Sequence, residues 1–484
     1  MENSILHFAE EGVKNLTKVF NDYTTDLSRI AEMVYGVTKE VVNLGLSMIA
    51  EEWEAYDELL RKRKDLRKGW QIVRKDRVTR TTSLGDVVYS RTLFKHEKTG
   101  KSVYLLDQLM KLDKHTRITE DAVARILEEA VESSYRKGGE NASITGADIS
   151  KETVMNKIHE LQFPPVQPKP KKALEKLFID ADEDHVSLQY LLKKGDIKKP
   201  RSNTVMPYIV YVYEGLDSEE DGRPKLVNPM YFGGLYDGGE GIERLWDEVY
   251  EYIEQSYDIN TLKQININGD GAAWIKAGTK YIRQSRFVLD KYHMHKYITT
   301  ATAHLMDSAE DARSEIYQAI HKKKKHMAEE AFDKILEVTE PESKRKAVEA
   351  AKAYILGNWS GILLSMTGKD RKNGCSAEGH VSHIYAARMS SRPLGWCYTG
   401  VDKMSRLRIY RQNKGNMLEL VRYQKQEIPK AAGAEEVSLS LYEMLNEEKR
   451  RRHKLKGLAN MHIYTIPYPQ IKKIAALKDH IWGL

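Results

Sequence analysis

The stretch Phe178-Ile-Asp-Ala-Asp-Glu-Asp-His-Val-Ser-Leu188 sets four acids between two apolar runs. A buried carboxylate is costly unless it is paired or holds a cation. On a strand, the two-residue period places Asp180, Asp182 and Asp184 on one face. An acidic surface turn is one reading and a metal-binding strand the other. An EF-hand calcium loop begun at Asp180 would need glycine at 185 and glutamate at 191, but His185 and Leu191 stand there, so that chemistry is excluded. A second acid, Asp270, follows the alternating run Gln264-Ile-Asn-Ile-Asn-Gly269 and is flanked by glycines. A carboxylate at that place has open access at a strand end, where α/β sheets bind ligands. A third, Glu378, falls in the first turn of a helix that Ser376 can cap, with Arg388, Arg392 and Trp396 beyond it. Taken singly these are a surface turn, a Gly-Asp-Gly turn and a helix-dipole carboxylate. Their order carries more. Three carboxylates suffice to hold two Mg²⁺ ions, with Mn²⁺ a plausible substitute, about 3.5–4 Å apart for phosphoryl transfer. No Walker loop, HExxH motif or nucleophile elbow competes.

The elements that must position these acids are legible in outline. Strands are expected at 177–189, 207–215 and 225–233, a helix at about 239–256, then strands at 262–269 and 285–289 around a second helix. That pattern predicts an α/β, ribonuclease-H-like mixed-sheet catalytic domain over 175–400. A charged helical block follows at about 298–356. Upstream, 1–66 reads as helical, 67–115 as a small β-rich region and 116–162 as helix-turn-helix-like. In the last of these, Ser150 is a plausible cap, and Val154, Ile158 and Leu161 form an apolar stripe. Lys151, Thr153, Asn156 and Lys157 lie off the stripe, where a DNA-reading helix would present them, although an ordinary helical hairpin fits as well. FPPVQPKPKK, within 163–174, reads as a stiff linker. The remainder, 401–484, reads as a basic helical region.

The chain has 484 residues, a net charge of +7 and two cysteines. These exclude a disulfide framework and a four-cysteine zinc site, and suit a polyanionic partner. Basic runs lie at Arg61–Lys68, Lys322–Lys325 and Lys449–Lys456. No membrane segment is expected, and no secretory signal is visible in MENSILHFAEEGVKNL, so the cytoplasm is the expected location.

With these residues in view, the chain resembles insertion-sequence transposases of the Lre group, distant relatives of the Mutator-like transposases, through IDADEDHVSLQ, INGDGAAWIK, FVLDKYHMHKY and SAEGHVSHIYAARMSSRPLGW. The resemblance implies that the Asp-Asp-Glu set falls on Asp182, Asp270 and Glu378, with Asp180 and Asp184 as alternatives for the first position. It also implies that Asp290-Lys-Tyr-His293 matches a Cys-or-Asp, two residues, His signature, and that the helical block at about 298–356 is an insertion inside the catalytic domain, which would explain why Glu378 follows Asp270 by 108 residues while Asp270 follows Asp182 by 88. His293 is then a DNA contact or site support, or else a packed histidine, and Arg388 is a further candidate DNA contact. The implied activity is metal-dependent cleavage of double-stranded DNA at element ends and strand transfer into target DNA, by a homo-oligomer. A ribonuclease-H-like nuclease or resolvase without strand transfer, and a non-catalytic DNA-binding regulator, are the alternatives.

Overall fold

The computed structural model describes residues 2–112, 116–189, 203–217, 224–367, 375–392 and 394–426. Its contacts separate it into two compact units. The first holds the residues up to Arg80 together with Val87–Arg117. Here α1 (Glu2–His7) runs through a π-turn into α2 (Val13–Thr25), and the long α3 (Ile30–Lys62) follows. Strands β1 (Trp70–Thr81), β2 (Asp86–His96) and β3 (Ser102–Tyr104) form a three-stranded sheet in that order, followed by α4 (Leu105–Leu109). Leu60, Leu66, Phe94 and Leu105 make one small core, and Val87, Tyr89 and Leu106 make another beside Trp53 and Tyr56. The buried Asp57 of α3 accepts the backbone N–H and the hydroxyl of Thr92, at 2.8 and 2.6 Å, which fixes the helix on β2.

The second unit comprises Thr81–Asp86 and the described residues from Ile118 onward. It opens with α5 (Glu120–Ala130), α6 (Tyr135–Glu140) and α7 (Lys151–His159). Next come β4 (Lys176–Glu183), the ladder of β5 (Val186–Ser187) with β6 (Thr204–Val205), then β7 (Tyr208–Tyr213). A second short ladder, β8 (Leu216–Asp217) with β9 (Lys225–Leu226), precedes β10 (Met230–Gly234). After α8 (Gly238–Ser256) the chain alternates through β11 (Gln264–Gly269), α9 (Ala273–Tyr281) and β12 (Ser285–Leu289). The main sheet has the order β10-β7-β4-β11-β12. β7 runs antiparallel to both β10 and β4, and β4, β11 and β12 are parallel.

Side-chain alternation sorts the two faces of this sheet. Leu177, Ile179, Ala181, Val210, Val212, Ile265 and Ile267 meet Leu245, Trp246, Val249 and Ile253 of α8 and Ile275 of α9. Phe178, Ile209, Tyr211 and Tyr213 face the opposite way, toward Ile126, Leu127, Val154 and Ile158. Each such fully buried side chain stabilises the fold by about 1.5–3 kcal/mol. Asp180 and Asp182 on β4, with Asn266 and Asn268 on β11, fall on this second face by register and are buried.

Two expectations about boundaries change. Ser150 does cap α7, its hydroxyl accepting the Thr153 N–H at 3.2 Å. However, α5 and α7 have their apolar stripes in the same core as the sheet, so the 116–162 region is a layer of this unit rather than a free-standing reader. The proline-rich stretch is likewise a strap and not a spacer. The Lys169 N–H donates to Ser256 at 3.1 Å, Lys172 bridges to Tyr257, and its ammonium pairs with Glu214 at 2.6 Å.

Helices fill the stretch where a helical block was expected at about 298–356, over a wider span. The block comprises α10 (Lys291–Thr302), α11 (Ala309–His321), α12 (Lys325–Glu337), α13 (Glu342–Gly357) and α14 (Trp359–Thr367). Met294, Ile298, Ile316, Phe332, Val348 and Ile362 give it a core that also takes in Leu289 at the end of β12. The chain then forms α15 (Ala377–Val381), a π-turn, α16 (Ala387–Met389), α17 (Tyr398–Gln412) and α18 (Met417–Gln426). Val401, Met404 and Leu407 of α17 join the sheet core, and Asn413 clamps the backbone of Tyr231 on β10 with two hydrogen bonds at 2.9 and 2.8 Å. The start of the expected C-terminal region is therefore part of this unit, and the basic run Lys449–Lys456 lies outside the described residues. No helix among the described residues is long and apolar enough to cross a membrane.

Candidate active site

The parallel register sets Asn268 of β11 beside Asp180 of β4. Two residues further along each strand direction come Asp270 and Asp182. Adjacent strands lie about 4.8 Å apart, so the two acids emerge as neighbours at the carboxyl ends of the central strands. Hydrogen bonding distinguishes the three aspartates of β4 and its continuation. Asp180 is fully buried and has both oxygens occupied. Tyr213 and Asn268 donate to Oδ1 at 3.0 and 2.7 Å, and Tyr211 and the Ser376 N–H donate to Oδ2 at 2.8 and 2.9 Å. Burial pushes its carboxyl up while these four donors pull it down. Asp184 is held by the Ser390 hydroxyl, at 2.9 and 2.8 Å to its two oxygens, and accepts the His185 N–H at 2.8 Å. Asp182 accepts only the Glu183 N–H, at 2.9 Å, among the described residues. Of the three, it has the most acceptor capacity left for a ligand.

The Asp270 loop is braced from two sides. Its Oδ1 accepts the Ala272 N–H at 2.8 Å at the start of α9, and its carbonyl accepts the Tyr354 hydroxyl from α13. Gly271 has φ +94°, and a Cβ there would come within 2.8 Å of the Asn358 side chain, so glycine is required. Asp290 caps α10, accepting the Tyr292 N–H at 3.2 Å, and its other oxygen contacts Nδ1 of His293 at 3.0 Å. That bond, with the charges of Asp290, Asp270 and Asp182, pushes the His293 imidazole up. His293 therefore sits at the rim of the acids.

Glu378 lies in the first turn of α15 and is exposed. The same helix is tied to the sheet through Ser376, whose N–H donates to Asp180. Burial, then the charges of Asp270, Glu183 and Glu378, push the Asp182 carboxyl up to about 7. Asp182 thus feels the charges of both Asp270 and Glu378. Among the described residues, no three acidic, histidine or cysteine side chains form a group that could hold a metal ion.

A stability prediction follows from Asp182. Between its unfolded value near 4 and about 7, the folded chain holds a proton that the unfolded chain releases, so stability falls as pH rises through that window. Asp182→Asn in EDTA is expected to raise the free energy of unfolding at pH 8 by on the order of 2–4 kcal/mol, with a much smaller gain at pH 5. Urea denaturation at the two pH values measures this, and equal gains at both would contradict it.

Sequence reasoning missed several neighbours. Glu183 accepts the Trp274 indole N–H at 2.6 Å and is itself pushed up, chiefly by burial and then by Asp270. Asn268 was recognisable as the polar residue one period before Asp270. Nothing in the sequence pointed to Tyr354 or Asn358. The expected DNA contacts divide. Lys151 and Asn156 are exposed on α7, Thr153 and Lys157 are half-buried, and none of them hydrogen-bonds to the three acids. Arg388 does not face DNA. It is buried, donates to the Ala130 carbonyl at 3.2 Å, and lies over the Trp396 and Tyr135 rings at 5.0 and 5.7 Å. The aromatic pocket that Trp396 and Tyr135 form takes the guanidinium inside.

The family model described as UPF0236, an uncharacterised protein family, matches residues 23–427. Two UPF0236 proteins of Caldanaerobacter subterraneus subsp. tengcongensis are each 36% identical to the chain over 421 residues, covering 87% of this chain and 85% of theirs. One bears four locus designations and the other eleven, so a single genome holds many paralogues. Among solved structures, the Drosophila P element transposase strand transfer complex aligns over 72% of this chain and 90% of that chain, at 10% identity and a TM-score of 0.22, a similarity too low to carry an argument. By a match over most of its length and by relatives at this identity, the chain belongs to the UPF0236 family.

Proposed function

We propose that this chain is a DDE-type transposase that cleaves DNA strands at the ends of a mobile element and joins the freed ends to target DNA. The observation that carries the reading is the sheet order β10-β7-β4-β11-β12, which we read as ribonuclease-H-like, with Asp182 on its central strand and Asp270 at the end of the adjacent parallel one. Glu378 comes from a helix bonded to that same central strand. The many paralogues in one genome support a mobile element. Asp182, Asp270 and Glu378 would hold divalent cations, which supply charge neutralisation at the scissile phosphate and a lowered pKa for the attacking hydroxyl. The chain's own work is positional. β4 and β11 hold Asp182 and Asp270 side by side, the Tyr354 bond and Gly271 keep the loop from relaxing, and Asp290 orients His293 toward the site.

The test uses labelled duplexes made from the DNA on both sides of the gene, incubated with the full chain and Mg²⁺. Cleavage at a fixed position, followed by joining of the 3′ end to a second duplex, is the expected result. Cutting without joined product from a pre-nicked end would favour a nuclease or resolvase, and binding without cutting would favour a regulator.

A further inference from the structure

Positive charge is dense in residues 61–101 and again in 401–484, whose basic run Lys449–Lys456 lies outside the described residues. Residues 61–101 contain fourteen lysines and arginines against four acids, a net of +10, while the whole chain carries +7. The 116–162 region, where a DNA-reading helix was expected, has six basic residues and nine acids, a net of −3. Phosphate neutralisation dominates duplex affinity, so the second region is a poor grip and the first a strong one.

The structure shows where that charge goes. β1 is an edge of the three-stranded sheet; Gln71 to Lys75 are all exposed, and its side chains alternate from Asp76 onward. Val78 and Arg80 point inward, Val78 against Tyr89 and Leu106 and Arg80 to Asp107 at 3.0 Å. Gln71, Val73, Lys75, Arg77 and Thr79 share the opposite face and are all exposed. Residues two apart on a strand lie about 6.6 Å from one another, so Lys75 and Arg77 form a short cationic row. Lys95 and Lys98, at the end of β2 and the turn after it, are exposed as well. None of these four cations has an ion-pair partner among the described residues. The acids Glu54 and Asp57 of α3 are bonded to the backbone of β2 and leave this outward face uncompensated. A lysine-bearing edge strand also discourages strand-to-strand aggregation, which is the plainer reading of such charges.

We infer that the outward face of the β1–β2 ribbon is the main double-stranded-DNA-binding surface of this protein, with Lys75, Arg77, Lys95 and Lys98 contacting phosphates. A two-stranded ribbon fits the width of the major groove, and Gln71 and Thr79 on the same row carry groups able to meet base edges. The inference rests on the proposal that DNA is the substrate, and it replaces α7 as the grip.

Fluorescence anisotropy of the full chain with a labelled duplex, in EDTA so that no cleavage intervenes, tests it across a salt series. Lys75→Glu/Arg77→Glu is expected to weaken binding at least tenfold and to flatten the salt slope by about 2, near 0.9 per lost phosphate contact. Lys95→Glu/Lys98→Glu, on a separate element, is expected to do the same, which guards against a folding defect in the first variant. Lys151→Glu/Lys157→Glu is expected to bind as the parent does. Parent-like binding by both ribbon variants would overturn the assignment and leave the transposase reading standing. Failure of the parent itself to bind duplex would overturn both.

Discussion

Asp270→Asn protein is expected to bind duplex DNA with the parent's affinity and to lose Mg²⁺-dependent strand cleavage by on the order of a thousandfold or more. Asparagine is chosen because the Asp270 side chain has two roles. One oxygen accepts the Ala272 N–H at the start of α9, a bond an amide oxygen can keep, while the charge that would hold a cation cannot be kept. Asp270→Ala removes both, so it is expected to lose cleavage equally and also about 1 kcal/mol of stability. Anisotropy, gel assay of the nicked product and urea denaturation separate the three readouts. If Asp270→Asn cuts as fast as the parent, the site lies elsewhere. If binding falls with cutting, the residue is part of the DNA surface rather than the catalytic centre.

Asp180→Ala carries the second large effect, and it falls on the fold. Its carboxylate gathers hydroxyls from Tyr211 and Tyr213, the Asn268 amide and the Ser376 N–H, all at 2.7–3.0 Å and in a fully buried position. Removing the acceptor leaves these donors without a partner, and each unsatisfied buried group costs about 1–3 kcal/mol. Some relief is available, because the Tyr211 hydroxyl also lies 2.7 Å from the Ser376 hydroxyl. A net loss of about 3–5 kcal/mol is therefore expected, enough to lower the melting temperature by many degrees in a domain of ordinary stability. Urea denaturation measures it. A variant within 1 kcal/mol of the parent would show that the four donors find water or one another. The opposite signs expected at Asp180 and Asp182 make the pair diagnostic. One aspartate stabilises the sheet, and the other destabilises it when charged and without a cation.

That contrast also marks the limit of what could be read from the residues alone. Strand period placed Asp180, Asp182 and Asp184 on one face without distinguishing them, since their local surroundings in the sequence are alike. What separates them is the identity of distant partners: Tyr211, Tyr213, Asn268 and Ser376 for Asp180, and Ser390 for Asp184. The alternation of Ile265 and Ile267 with polar residues was enough to locate β11 and the Asp270 loop, because a half-buried strand writes its two faces directly into the chain. The helical block after β12 was legible from its charge and helical periodicity. The region before the proline-rich strap was not. Its stripe of Val154, Ile158 and Leu161 reads equally well as the inner side of a small reader and as one layer of a larger core, and only the packing on the main sheet decides. Arg388 misled for a similar reason, since a cation in a motif-rich segment gives no sign that an aromatic pocket will enclose it.

The bond between Asp180 and Ser376 spans 196 residues of chain. At about 5–20 residues per second, a ribosome needs roughly 10–40 s to make the intervening polypeptide after the first acids have emerged. Throughout that interval the nascent chain lacks Glu378 and the tether that docks its helix. Until Ser376 has been made, Asp180 lacks one of its four donors, and the helix that Ser376 tethers cannot dock on the sheet.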